Sequence, residues 1–359
     1  MKTGIENIKR SVREIKGYKN PPSQAEVKLN QNENPFPIPD EIKDEIFDTV
    51  RKIDWGRYPE YDPAELRLKL GEYAGFSMEG ILVGNGSNEM ILALVLATIS
   101  GGDKILIPSP TFAVYSLLGK IVEGELITVN LTEDFGFDVD GIVTARKNCN
   151  PKLTIIPSPN NPTGCVLNIG EIEEILKFGD GILALDEAYI QFSDNPDGAI
   201  GLIERFPNLI ILRTFSKALC AAGLRIGYLI TNPELTGQIR KTILPYNIGI
   251  FSRIAAIKLI ESKNLINERV KYIIEQREYI FKELKKIKGI KPYPSQANFI
   301  LFECLEKEPS EVYNKLYENG ILIRDVTSYP MLTRAFRVTA GKKEENDIFL
   351  EKLKEIMEY

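Results

Sequence analysis

Apolar and polar positions fall into blocks along the chain, and from about residue 81 the blocks alternate between two periods. Short apolar runs at 81–83, 104–107, 125–129, 153–156, 181–185, 209–213 and 226–230 have the length and composition of buried strands, and segments of helical period separate most of them. That alternation predicts an α/β fold, a mostly parallel sheet wrapped by helices. Upstream, residues 4–16 carry the pattern of a short amphipathic helix. The Pro-rich link Tyr18-Lys19-Asn20-Pro21-Pro22 follows, and then the stretch from Lys28 to Pro37, whose asparagines and prolines forbid a long helix and predict an extended arm. Helices are expected over about 39–52 and 63–74, with a loop between them carrying Tyr58 before Pro59. After about 246 the pattern changes to long charged helices near 251–287, a strand at 298–302, a helix at 309–319 and strands at 321–323 and 336–339. The expected division is therefore an arm with part of a small domain over 1–45, a large domain over 46–245, and a smaller α+β domain over 246–359.

Composition narrows the chemistry. The chain of 359 residues is 43% apolar and 26% charged, with a net charge of −5 and no basic block suited to nucleic acid or an anionic membrane. No apolar run approaches the length of a membrane span, and the amino terminus lacks a signal-peptide pattern, so the expected compartment is the cytoplasm. Cys149, Cys165, Cys220 and Cys304 show no metal or redox spacing and are expected to be reduced. There are no histidines, which excludes Ser-His-Asp hydrolysis, Cys-His proteolysis and histidine-ligated zinc together. Proton transfer must then use Lys, Tyr, Cys or a carboxylate.

The strand ends carry the candidate residues. Lys217 follows the run 209–213, where a crowded ammonium needs either a counter-ion or a role as a neutral amine. Arg225, eight residues on, offers a fork suited to a phosphate or to a surface carboxylate. Gly84-Asn85-Gly86-Ser87-Asn88-Glu89 precedes a helix expected from Met90. The run reads as a single-phosphate cradle, a dinucleotide loop whose third glycine is replaced by Glu89, or a cap supplied by Ser87. Phe112 stands where a strand gives way to a helix, placed for ring stacking or for the core. Pro157 to Gly164 forms a rigid turn from which Asn161 can aim inward, and Asp186-Glu187-Ala188-Tyr189 closes the apolar run 181–185, its acid either a cap or the partner of a cation. An aromatic ring, an amide, an acid, a lysine and an anion cradle are together what pyridoxal 5'-phosphate requires.

These motifs, Ser-Pro-Asn-Asn-Pro-Thr-Gly, Asp-Glu-Ala-Tyr and Thr-Phe-Ser-Lys with an arginine eight residues later, resemble the fold-type I pyridoxal-phosphate aminotransferases over nearly the whole chain. Asn32-Glu33-Asn34-Pro35, Arg57-Tyr58-Pro59, Pro110-Thr111-Phe112, Arg324-Asp325 and Phe336 to Gly341 make the likeness greatest to the histidinol-phosphate aminotransferases. The resemblance implies that Lys217 bonds covalently to the cofactor, Asp186 pairs with the ring nitrogen, Tyr189 and Asn161 donate to the phenolic oxygen, and Phe112 stacks on the ring. It implies that Ser87, Asn88, Thr214, Ser216 and Arg225 surround the phosphate and that Tyr58 comes from the other subunit of a homodimer. Asn88 stands where related sequences often carry Asp. Arg337 and Arg324 are expected to bind the substrate's anionic group, with Tyr18 and Asn34 as further substrate contacts. The activity implied interconverts histidinol phosphate plus 2-oxoglutarate with imidazole-acetol phosphate plus glutamate. Alternatives are an aromatic or broad-range aminotransferase, a threonine-phosphate decarboxylase, a cofactor-binding regulator and a nicotinamide-dependent dehydrogenase.

Overall fold

The computed structural model describes residues 4–17 and 25–358. In chain order, α1 (Arg10–Arg13), β1 (Val27–Lys28), α2 (Asp40–Arg51) and α3 (Ala64–Ala74) lead into β2 (Ile81–Gly84). The central run is α4 (Ser87–Thr98), β3 (Lys104–Ser109), α5 (Ala113–Ile121), β4 (Glu125–Asn130), α6 (Val139–Cys149), β5 (Leu153–Pro157), α7 (Ile169–Leu176), β6 (Ile182–Asp186), β7 (Leu209–Thr214), β8 (Gly227–Ile230) and α8 (Pro233–Ile239). Then follow α9 (Ile250–Glu261), α10 (Lys263–Leu284), β9 (Ile290–Pro292), β10 (Phe299–Cys304), α11 (Pro309–Glu318), β11 (Ile321–Leu322), β12 (Arg324–Asp325), β13 (Ala335–Thr339) and α12 (Lys343–Glu358).

A seven-stranded sheet in the order β2-β8-β7-β6-β5-β3-β4 forms the large domain. Period-two alternation divides each central strand between two cores. Leu183, Leu185 and Ile211 face the larger cluster, whereas Ala184, Ile210 and Leu212 face the other, which α4 and α5 cover with Met90, Leu94 and Tyr115. Because both faces are covered, β5 and β7 are buried at every residue, which is why they appear in the sequence as continuous apolar runs.

The sheet is mostly parallel, as expected, with β8 the exception, and one expectation changes. β8 runs antiparallel to both of its neighbours, because only a loop and a single 3-10 turn separate it from β7, and a parallel return needs a longer crossover. The helix expected over 4–16 is broken into a 3-10 turn at 5–7 and the single turn α1, with Ile8 extended and Lys9 also non-helical between them. None of its residues is buried, and the little surface that α1 covers against α5 is too small to offset the cost of nucleating a longer helix.

The smaller sheet, β12-β13-β10-β9, is antiparallel and packs with α10, α11 and α12. The arm joins it: β1 pairs in parallel with β11, and Leu29 accepts from the Thr339 N–H at the end of β13. α9 packs against α2 and α3. No helix of the described residues is long and apolar enough to cross a membrane.

Candidate active site

The parallel strands β3, β5, β6 and β7 end on the same side of the sheet, and β2, reversed twice through β8, ends there too. Open α/β sheets bind ligands along such an edge.

Asp186 is the last residue of β6 and only 4% exposed. Its Oδ2 accepts from the Tyr115 hydroxyl at 2.8 Å and its Oδ1 from the Ala188 N–H at 3.1 Å. Burial pushes its carboxyl up to about 6, against the pull of those two hydrogen bonds. The neighbouring Glu187 turns the other way, into a buried ion pair with Arg213 at 2.8 Å and a bond from the Ala199 N–H, so the two adjacent acids have separate partners.

Lys217 lies three residues beyond β7. Its Nζ donates to the Gln31 carbonyl of the arm at 3.0 Å and stands 5.6 Å from the centre of the Tyr189 ring. Burial, reinforced by the Arg337 charge, brings its ammonium down to about 7. A lysine held by a backbone carbonyl and beside a guanidinium is suited to act as a neutral amine. Asn34 fixes the loop that carries it, its Nδ2 lying 3.2 Å from the Lys217 carbonyl and 3.3 Å from that of Ala218, while its oxygen accepts from Phe36 N–H.

Tyr189 is buried, its ring packed edge-on against Phe299 and its hydroxyl accepting from Asn32 Nδ2 at 3.0 Å. Arg337, central in β13, donates to Asn161 Oδ1 at 2.5 Å and to the Asn30 carbonyl at 2.7 Å. The arginine thereby orients the Asn161 amide. Arg324 stands opposite Arg337 in the register of β12 with β13. Phe112 caps the start of α5, half-buried, and meets Tyr115 edge-on.

The anion cradle assembles at the start of α4, which begins at Ser87, a turn earlier than the apolar pattern shows. Gly86 has φ 80°, and a Cβ there would come within 2.5 Å of Arg225 Nη2. At Gly227 a Cβ would meet the Ser87 nitrogen at 2.1 Å. Thr214 and Ser216 place their hydroxyls 3.0 Å apart, and Arg225 Nη1 lies 3.4 Å from Ser216 Oγ. Two hydroxyls, a guanidinium and the first-turn N–H groups of Ser87 and Asn88 fit a phosphate monoester. Glu89 accepts from Asn85 N–H and from Asn247 Nδ2, which places a carboxylate where a dinucleotide loop needs a glycine.

Tyr58 stands apart from these groups in its own chain, 82% exposed and stacked on Tyr246 at 4.6 Å. Tyr18 lies outside the described residues. Three contributors were given no role from the sequence, although Asn32 opens one of the quoted motifs. Tyr115 is detectable as the residue one turn after Phe112 on the same helix face. Gln31 and Asn32 act through contacts with Lys217 and Tyr189 more than 150 positions away, for which local pattern holds no signal.

The family model of class I and II aminotransferases matches residues 25–353. A histidinol-phosphate aminotransferase of Chlorobaculum parvum is 40% identical over 341 residues, covering 95% of this chain and 95% of its own. One from Caldanaerobacter subterraneus subsp. tengcongensis is 39% identical over 356 residues, 98% of this chain and 99% of its own. Among solved structures, the Clostridium acetobutylicum histidinol-phosphate aminotransferase superposes with a TM-score of 0.85 at 28% identity, covering 92% of this chain and 99% of that one. The Sinorhizobium meliloti enzyme in complex with pyridoxal-5'-phosphate shares the fold, with a TM-score of 0.88 at 23% identity over 97% of each chain.

Proposed function

The chain belongs to the class I and II aminotransferase family, and from that premise we propose that it is a pyridoxal-phosphate enzyme that moves an amino group between glutamate and imidazole-acetol phosphate, giving 2-oxoglutarate and histidinol phosphate. The observation that carries the reading is the half-buried Lys217 amine, bonded to a backbone carbonyl and brought down to about 7, at the strand edge that also ends in Asp186.

Lys217 would hold the cofactor covalently and Asp186 its ring nitrogen. Asn161 and Tyr189 would hold its phenolic oxygen and Phe112 a ring face, while Ser87, Asn88, Thr214, Ser216 and Arg225 would hold its phosphate. When bound, the group supplies an electron sink for the pair left behind as a substrate C–H bond breaks. The chain's own residues do the rest. Once the substrate's amine has displaced it from the cofactor, Lys217 Nζ, whose ammonium this site disfavours, would take the proton from the carbon bearing the amino group. Asp186, charged above about pH 6, keeps a proton on the nitrogen facing it. Arg337 and Arg324 present forks that accept a carboxylate or a phosphate monoester equally well, so one pocket serves both half-reactions. Tyr18 and Asn34 remain the proposed further substrate contacts, although the Asn34 amide already bonds the Lys217 loop.

We further propose a homodimer in which Tyr58 reaches the partner's cofactor, acting in the cytoplasm. An exposed apolar surface supports this, in which Tyr58 and Tyr61 both meet Tyr246 and Tyr61 lines one cleft with Leu244, since such a patch is expected to be covered by another molecule. A steady-state assay tests the reaction. Saturable turnover is expected with glutamate and imidazole-acetol phosphate, at a higher kcat/KM than with phenylpyruvate. Turnover of phenylpyruvate alone, or release of carbon dioxide from threonine phosphate, would refute the substrate assignment.

A further inference from the structure

Residues 30–34 of the arm touch the site's principal groups one after another: the Asn30 carbonyl holds Arg337, the Gln31 carbonyl holds Lys217, Asn32 meets Tyr189, and Asn34 clamps the Lys217 loop. Asn32 is distinctive among them. It is 1% exposed and adopts φ 54°, a conformation that asparagine tolerates better than most residues. Its N–H donates to Thr339 Oγ1 at 3.0 Å, the Thr339 hydroxyl lies 3.2 Å from its Oδ1, and its carbonyl accepts from Asn298 Nδ2 at 3.1 Å. The threonine hydroxyl proton thus engages the carboxamide oxygen, which leaves Nδ2 as the atom facing Tyr189. A phenol that accepts from a fixed amide must direct its own proton elsewhere.

We propose that Asn32 is a positioning residue that aims the Tyr189 proton at the cofactor's phenolic oxygen, and that Thr339 of β13 sets the sense of this bond. The role rests on the cofactor reading given above. It ties the small domain to the second of the two groups that face the phenolic oxygen, since Arg337, two residues before Thr339, already orients the first, Asn161. The charged and titratable groups around Tyr189 are Arg337, Asp186, Tyr115, Tyr329 and Lys217, and the substitutions below alter none of them.

The test is the pH midpoint at which the absorption band of the bound cofactor shifts in the holoenzyme. A donor to the phenolic oxygen favours its charged form, so loss of the donor raises the midpoint. Tyr189→Phe should raise it by about one pH unit, the scale of one hydrogen bond to a charged acceptor. Asn32→Gly, which retains the backbone conformation, should raise it in the same direction, and the double variant should shift no further than Tyr189→Phe alone. Thr339→Val should shift it the same way, and Thr339→Ser should match the parent; this pair decides the question by itself if Asn32→Gly does not fold. An Asn32→Gly midpoint equal to the parent's, or a double-variant shift equal to the sum of the two, overturns the proposal while leaving the cofactor reading intact. A parent protein that stays colourless with pyridoxal 5'-phosphate overturns both.

Discussion

Replacing Asp186 by Asn should remove a pH-dependent cost to the stability of the cofactor-free protein, and its activity with it. The Asp186 carboxyl is lifted from an ordinary value of 3.8 to about 6 by burial. Between those values the folded state binds more protons than the unfolded one, so stability falls as pH rises from about 4 to 6, and the loss is complete above that window. A gap of about two pH units corresponds to about 3 kcal/mol. Asn retains the shape and its oxygen can accept from Ala188 N–H, but the Tyr115 hydroxyl, which donates to Asp186, loses that acceptor, a cost independent of pH that cancels when the difference is referred to pH 4. The assay is chemical denaturation of both cofactor-free proteins from pH 4 to 8. The stability difference in favour of Asp186→Asn, referred to its value at pH 4, should grow through pH 6 by up to about 3 kcal/mol and then level off. Turnover with cofactor added should be lost, because a neutral amide cannot keep the ring nitrogen protonated. A difference that stays flat with pH, or a variant that is destabilised at pH 7 relative to pH 4, would refute the claim that this acid is held charged at a cost to the fold.

Two other outcomes follow from the geometry. Arg337→Ala should raise KM for imidazole-acetol phosphate and glutamate together, by roughly tenfold or more for a lost charge-assisted contact, and should also slow kcat because Asn161 loses the partner that orients it; a KM change for only one of the two substrates would count against a shared anion pocket. Leu244→Glu, at a position 77% exposed beside the Tyr58 loop, should shift sedimentation from dimer to monomer and lower activity in step with dissociation; full activity in a monomer would exclude a shared site.

The large domain was legible where burial on both faces left continuous apolar runs, as in β5, β6 and β7, each found within a residue or two of its expected span. Direction was not legible for β8, because an apolar run states that a strand is buried and not which way it points. The helix at 4–16 failed for the opposite reason: its amphipathic pattern meets only the edge of α5, and none of its residues is buried there. At the site, residues delivered by strand ends and glycine turns, Lys217, Asp186, Asn161 and Ser87, carried their signal in their position along the chain. Tyr115 could be placed on the helix face of Phe112 by spacing, but its bond to Asp186, like that of Asn32 to Tyr189, joins separate elements, and only the folded chain discloses it.

The proposed chemistry depends on the amine of Lys217 carrying the cofactor. Incubation with pyridoxal 5'-phosphate, borohydride reduction and peptide mapping by mass spectrometry test this directly. A single pyridoxyl group is expected on the peptide containing Lys217, and none should appear after Lys217→Ala. Label spread over surface lysines, or an unchanged level of label in Lys217→Ala, would contradict it.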